Sequence, residues 1–312
     1  MGTGHRWRAA RSLGPLVLWA QAGAGCRPPM DPPLPPGAGR YAAPPVYARW
    51  WAAVEACSGV TRPLAAVAWY AAPGLTIPTG GWTGPREVSG YWSPPGNRIV
   101  LSRGLTLDGP TVRHEMLHAL LRAPGHPRAA FLGRCAAVVD CTGPCVADAG
   151  PGPRPAPAAV VVPVTALRFS LAVDPPPAAG PLAVPADGFL TFTVRVRNPA
   201  PYPVVVRAVA PGPHHPGTSS EWARLPGFGV VVMGPALTRT GGYVADDTAS
   251  AAFGPGETRA KVFDFAVTPG REGLGRMPGQ SFNGIALGRG HYTLSGTYGP
   301  MWSDTVGVTV GP

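Results

Sequence analysis

The sequence predicts an α+β protein of two folded parts, a small helix-and-strand domain over 46–147 and an all-β sandwich over 161–312. Three observations predict it. The chain has 312 residues, about twice the usual length of one domain. Its apolar residues recur at helical spacing early in the chain and alternate with period two later. Two Pro-rich stretches, 26–45 and 148–160, interrupt the pattern and read as extended tethers without a core. Gly and Pro number 43 and 42, a combined level that often accompanies disorder, but 45% of residues are apolar and fall in periodic runs, so the glycines and prolines belong to loops. The net charge of +10 is almost wholly arginine, because Lys261 is the only lysine. These arginines stand singly and form no stripe interleaved with aromatics, which argues against a nucleic-acid partner.

Residues 1–25 read as an export signal: Arg6, Arg8 and Arg11 precede an apolar stretch from Leu13 to Trp19, and small residues follow up to Gly25. That stretch is too short to span a bilayer. Cys26, after "GAG", resembles the lipidated cysteine of bacterial lipoproteins, although their pattern wants a Leu-like residue where Gly23 stands. Two fates stay open, membrane attachment through lipidated Cys26 or cleavage after Ala22 or Ala24. Either one exports the chain, to an extracellular, periplasmic or lipid-anchored position at a bacterial envelope. With Cys26 set aside, Cys57, Cys135, Cys141 and Cys145 form an even set that suits two disulfides in an oxidising compartment, with three pairings open. A structural zinc site would need two closely spaced pairs, whereas Cys57 stands alone. A bridge from Cys57 to the later cluster would tie the first helix to the segment that follows the histidines.

The first folded element is a buried helix over 47–57, where Tyr47, Trp50, Trp51, Val54 and Cys57 share a face and Ser58-Gly59 closes it. Short strands follow at "LAAVAWYAAPG" and "NRIVLS", around a Gly-, Pro- and Trp-rich loop from 73 to 97. Next comes a second helix carrying "TVRHEMLHALL". Asp108 or Gly109 can cap it, Pro110 fits its first turn, and Ala123-Pro124-Gly125 ends it. Val112, Met116, Ala119 and Leu120 make its apolar stripe, with His114, Glu115, His118 and Arg122 on the other side.

Residues four apart lie one above the other on a helix, so His114 and His118 can present two imidazole nitrogens to one zinc ion. Glu115, beside the first ligand, is then aimed at a water in the open coordination position and can take its proton as general base. His126, past a Pro-Gly break that lets the chain turn back, is the nearest third metal ligand; a carboxylate such as Asp140 is the alternative. The bland reading of the same residues is a short amphipathic helix with surface histidines. His214-His215 and His291 sit in or near Pro-Gly loops and read as solvated.

This stretch resembles the HExxH zinc metallopeptidases. It departs from the metzincin branch, whose longer motif would place Gly at 121 and His at 124, where Leu121 and Pro124 stand. Together "WWAAVEACSG", "GYWSPPGNRIVL", "VRHEMLHALL" and "GHPRAAFLGRC" are similar to a group of bacterial exported proteins built around a VRHEMLH helix followed by GHP. The resemblance covers about residues 43 to 145 and implies a compact zincin-like metallopeptidase domain that binds zinc (Zn2+) and acts on a peptide or protein substrate. It also implies that "NRIVL" forms the sheet edge along which an extended peptide lies. Tyr91, Arg113 and Arg122 are candidate oxyanion donors by residue type alone.

After Cys145 the alternation is plain: Leu167, Phe169, Leu171 and Val173, then Leu190, Phe192, Val194 and Val196 between Thr191, Thr193, Arg195 and Arg197. Further strands are expected at "PVVVRAV", "GVVVM", "KVFDFAV", "HYTLSGTY" and "DTVGVTV". About seven short strands without a helix point to an Ig-like β-sandwich. Within it "VRVRNPAPYPVVV", "FGPGETRAKVFDF" and "LGRGHYTLSGTYG" resemble the bacterial intracellular proteinase inhibitor domain over 164–310, through motifs that are mostly structural. The sequence as a whole is expected to be an exported, monomeric zinc metallopeptidase. The rival from another class is a non-catalytic zinc-containing surface protein whose sandwich binds a protein partner. The two differ at Glu115, which only hydrolysis needs.

Overall fold

Tyr47, Trp50, Trp51 and Val54 share one side of helix α1 (Val46–Ser58) and are buried there. Gly59 ends the helix at φ 73°, a left-handed conformation that glycine adopts at least cost. The structure is a computed structural model, and it describes residues 33–77, 86–141, 145, 159–174, 187–207, 227–234, 238–245, 250–272, 274–276, 285–298 and 301–311. The export signal, most of the linker at 148–160 and the His214-His215 doublet lie outside these residues. No helix among the described residues is long and apolar enough to cross a membrane.

The first half contains strands β1 (Gly39–Arg40), β2 (Ala68–Ala72), β3 (Thr76–Ile77), β4 (Arg86–Glu87), β5 (Gly90–Ser93) and β6 (Arg98–Ser102). Four of them form a sheet in the order β1-β2-β6-β5, while β3 and β4 pair with each other. β6 runs parallel to β2 and antiparallel to β5. The expectation that "NRIVL" forms the sheet edge is therefore corrected. Ile99, Val100 and Leu101 are apolar in succession and fully buried, the signature of a strand covered on both faces. The edges are β1 and β5, the latter inside the segment read as loop. Asn97 fastens the β5–β6 turn: its side-chain amide donates to Ala66 O at 2.7 Å and its carbonyl accepts from the Trp92 indole at 2.9 Å.

Helix α2 (Gly109–Leu121) carries the histidines. Asp108 caps it, accepting from the Thr111 N–H at 3.2 Å and the Thr111 hydroxyl at 2.6 Å. The expected stripe of Val112, Met116, Ala119 and Leu120 is buried, but so are Arg113, Glu115, Leu117 and His118. The helix is thus enclosed rather than half-solvated, with α1, β5 and β6 against it and a strand of the second half on a further side. The Tyr47 hydroxyl donates to Thr106 O at 2.6 Å, just before α2, and lies 2.8 Å from the Tyr41 hydroxyl. Disulfide Cys57–Cys135 joins α1 to the end of a π-helical turn (Ala129–Arg134), and Cys141–Cys145 closes a short loop. Constraining a loop as long as the first is worth about 4 kcal/mol of chain entropy.

The second half contains β7 (Val160–Val162), β8 (Arg168–Asp174), β9 (Phe189–Arg197), β10 (Val204–Arg207), β11 (Gly227–Met233), β12 (Thr238–Ala245), β13 (Ser250–Phe253), β14 (Thr258–Glu272), β15 (Leu274–Arg276), β16 (Ile285–Tyr298), β17 (Met301–Trp302) and β18 (Val306–Val310). One sheet runs β12-β11-β16-β14-β9-β8, with β15, β17 and β18 also pairing with β16; a second runs β13-β10-β7. Phe192, Val194 and Leu294 of the first and Val204, Val206 and Phe253 of the second share one core, so the two sheets form a sandwich. The period-two alternation is the cause: Leu190, Phe192, Val194 and Val196 are all fully buried.

The halves are also packed together. Phe189, Ala266 and Ala286 of the sandwich belong to the core around α1 and α2. Arg113 of α2 ion-pairs with Asp264 of β14, their side chains 1% and 2% exposed. Asp264→Ala leaves that guanidinium buried without its carboxylate and is expected to cost about 3–5 kcal/mol; denaturant titration of the full chain checks it, and a loss under about 1 kcal/mol contradicts it. A second expectation concerns alkali. Burial raises the Tyr41 hydroxyl to about 12 and Tyr47 in the same direction. A folded-state value above the unfolded one means the contribution is complete below pH ~10 and is lost as pH rises through ~12. Tyrosine absorbance and circular dichroism should therefore change together in that window.

Candidate metal centre

The turn after α2 brings His126 back to the helix, and His118 holds that turn. Arg122 adopts a left-handed conformation at φ 55°, and its N–H donates to His118 O. The His118 ring donates through Nδ1 to Ala123 O at 2.7 Å. Pro124 and Gly125 then reverse the chain. The result is a triangle of imidazole nitrogens: Nε2 of His114 lies 3.2 Å from that of His118 and 3.1 Å from that of His126, and the last two are 3.2 Å apart.

Tautomers decide what this triangle is. Nδ1 of His114 donates to Asp140 O at 2.6 Å, and Nδ1 of His118 to Ala123 O. Each ring thus uses its Nδ1 proton on a carbonyl, and in the neutral imidazole this leaves the lone pair on Nε2. Two such lone pairs, on His114 and His118, repel each other unless a proton or a metal cation lies between them. The centre of the triangle is about 1.8 Å from each nitrogen, the side divided by √3. An ion slightly off that plane meets the usual 2.0–2.1 Å reach of a metal–imidazole bond. The residues fit a metal ion and can hold one.

Burial supports the neutral state. It pushes the His114 imidazole down to about 4, against the upward pull of the bond to Asp140 O, with the nearby His126 and Lys261 charges adding to the fall. Phe131, fully buried on the π-helical turn, forms the floor of the site, its ring centroid 4.8–5.0 Å from all three imidazoles. Cys145 Sγ lies within 4.8 Å of the ligand nitrogens of His114 and His126. It is bonded to Cys141, however, and a disulfide sulfur offers no thiolate.

Glu115 lies between α2 and the edge strand. Its carboxylate accepts from the Trp92 N–H of β5, and a Cβ on Gly90 would stand 2.8 Å from Leu101 Cδ2 and 3.2 Å from Glu115 Cγ, so glycine suits this close approach. Burial raises the Glu115 carboxyl to about 8, with the Trp92 hydrogen bond pulling the other way. The structure thus brings His114, His118 and His126 into one cluster, with Glu115 the next residue on the same helix. Asp140, the alternative third ligand, contributes its carbonyl to His114 and turns its carboxylate toward Lys261 at 3.7 Å. Arg113 is committed to Asp264 and cannot serve as an oxyanion donor. Arg122 is the exposed C-cap of α2, and Tyr91 packs with Leu75 and Val100 around the sheet. His291 bonds Thr309 in the sandwich, far along the chain from the cluster. Sequence reasoning missed Phe131, Gly90 and Lys261; only Phe131, an aromatic five residues past His126, left a signal.

No family model and no curated protein matches the chain. Among solved structures it aligns with a β-glucosidase of Erythrobacter marinus (8% identity, TM-score 0.26, 46% of this chain and 15% of that one) and with one of Listeria innocua bound to isofagomine (11%, 0.26, 47% and 16%). A β-glucosidase of Bifidobacterium adolescentis aligns similarly (14%, 0.24, 46% and 17%). The chain spans about a sixth of these proteins, at similarity too low to inform its fold or chemistry.

The triangle generates a direct expectation. The purified chain retains about one divalent ion, and His114→Ala or His118→Ala abolishes retention through gel filtration against a chelator. His126→Ala leaves two ligands and weakens binding at least as strongly as the roughly 10- to 100-fold loss seen when only an outer partner is removed. Full metal content in the His114/His118 double variant overturns the site.

Proposed function

We propose that the chain is an exported zinc-dependent metallopeptidase, a zincin-like domain followed by an Ig-like sandwich, with His114, His118 and His126 holding the ion and Glu115 as general base. The observation that carries this is the convergent Nε2 triangle, with two of its three rings fixed by Nδ1 bonds to backbone carbonyls. Three imidazole ligands suit zinc, whereas magnesium and calcium seek oxygen ligands. When bound, zinc supplies Lewis-acid polarisation of the scissile carbonyl and acidifies water.

The chain's own groups do the rest. Glu115 takes the proton from the attacking water and later gives it to the leaving amine. Burial raises the proton affinity of this carboxyl, which suits it to take up the proton of the water. The edge strand β5 supports a peptide substrate: it has one sheet partner among the described residues, and its Trp92 N–H bonds to Glu115. An extended peptide laid along that edge passes beside the base. Gly90 keeps this approach short.

Glu115→Gln keeps shape and removes the base. Zinc content and circular dichroism should match the wild type, while hydrolysis of any peptide the wild type cleaves falls by about 10²–10⁴. Equal rates at matched zinc loading would sink the assignment of Glu115. If the wild type binds zinc fully and cleaves nothing in a broad peptide library, the zinc-containing surface protein with a partner-binding sandwich becomes the better reading.

A further inference from the structure

Residues 137–140 offer four successive backbone carbonyls, and each has a donor. Val262 N–H of β14 donates to Ala137 O at 2.8 Å. Arg113 Nε of α2 donates to Val138 O at 2.6 Å, Lys261 Nζ of β14 to Val139 O at 2.7 Å, and His114 Nδ1 to Asp140 O at 2.6 Å. This short segment therefore lies as a rail between the metal helix and the sandwich, and the last carbonyl on it sets the ring of a metal ligand. β14 can receive it because the strand has β9 on one side over 258–266 and meets β16 on the other side only from Ala266 onward.

Lys261 is unusual in this setting. It is the only lysine of the chain and is 4% exposed, in a strand whose neighbouring residues are largely apolar. A buried ammonium persists only when its donors and charge are matched. Here the matches come from the rail: Val139 O at 2.7 Å, Ala136 O at 3.4 Å and the Asp140 carboxylate at 3.7 Å. Asp140 Oδ1 is itself buried and has no hydrogen bond, so Lys261 is the cation that compensates it. One residue of the rail thus carries both the carbonyl that orients His114 and the carboxylate that Lys261 holds.

We propose that the β-sandwich is a working part of the metal centre and that Lys261 is its positioning residue, holding Val139 and Asp140 so that the Asp140 carbonyl keeps the His114 ring turned to the ion. This rests on the assignment of His114, His118 and His126 as metal ligands. Outer partners that orient a ligating imidazole are worth about 10- to 100-fold in metal affinity. Lys261 acts one bond further out but on the same carbonyl-bearing residue, so the effect falls in the lower part of that range.

The test uses the full chain, zinc and cobalt(II). Lys261→Met keeps the length of the side chain and removes charge and donors. Zinc affinity by chelator competition should fall about tenfold, with a shifted visible absorption of the cobalt form, and Lys261→Arg should restore most of both. Unchanged affinity and spectrum in a folded Lys261→Met chain overturn the proposal, even if its thermal stability drops, because a merely structural lysine would do that. If the wild type binds no metal, the ligand assignment has failed instead. Should Lys261→Met not fold, the wild type decides. A metal ion held through the rail stabilises the state in which Lys261 is buried, so zinc must slow acylation of Lys261 by an amine-reactive ester, mapped by mass spectrometry. Equal acylation with and without zinc, both forms showing native circular dichroism, overturns the proposal.

Discussion

A buried charge fixes the register of this molecule. The Arg113 guanidinium is planar, always protonated and 1% exposed, so every donor it carries must find an acceptor in the interior. It finds Asp264 on β14, Val138 O on the rail and Val262 O at 3.4 Å, with the Trp50 ring 5.7 Å from its carbon. Asp264 is held in turn by the Thr191 hydroxyl at 2.8 Å. Sliding α2 along β14 by one residue would break this set at a cost of several kcal/mol, which the fold cannot absorb. Gly109 makes the approach feasible, since a Cβ there would stand 2.8 Å from Arg113 Nη1, 2.9 Å from Asp264 Oδ2 and 3.2 Å from the Trp50 ring.

His114 follows Arg113 directly, so the residue that fixes the helix also fixes the first histidine of the cluster. The two side chains reach the same rail at Val138 and Asp140. The three imidazoles are held together by packing on Phe131, and His114 and His118 also by their Nδ1 bonds to backbone carbonyls. A metal ion bound there would meet rings whose orientation the fold has already set. That is the physical content of preorganisation at a metal site.

The sequence made the centre more legible than its surroundings. Helical spacing places His114 and His118 together whatever lies around them, and Pro124-Gly125 is a local signal for the reversal that returns His126. The alternation in β9 reads directly as a buried strand. By contrast, β5 was hidden because "GYWS" has two aromatics in succession and a glycine chosen for close approach, so neither alternation nor a β-branched run marks it. Lys261 and Arg113 look like solvated charges in one dimension; their burial depends on contacts 122 to 151 residues away, which no local pattern encodes. For the same reason the helix face bearing Glu115 looked exposed, since the strand that covers it could not be seen.

Composition draws a boundary at 148–160, but the forces do not respect it. β14 is a single 15-residue strand whose early part pairs with β9 and receives the rail, while its later part meets β16 and closes the sandwich. Removing the chain beyond the linker would take away Asp264, Lys261 and the Val262 N–H together. Arg113 would then hold an uncompensated charge, and Val139 and Asp140 would lose the cation between them. Two stretches that each read as a domain therefore share one electrostatic joint. Because that joint borders the histidine that the rail orients, the integrity of the sandwich and the geometry of the histidine cluster are one physical problem.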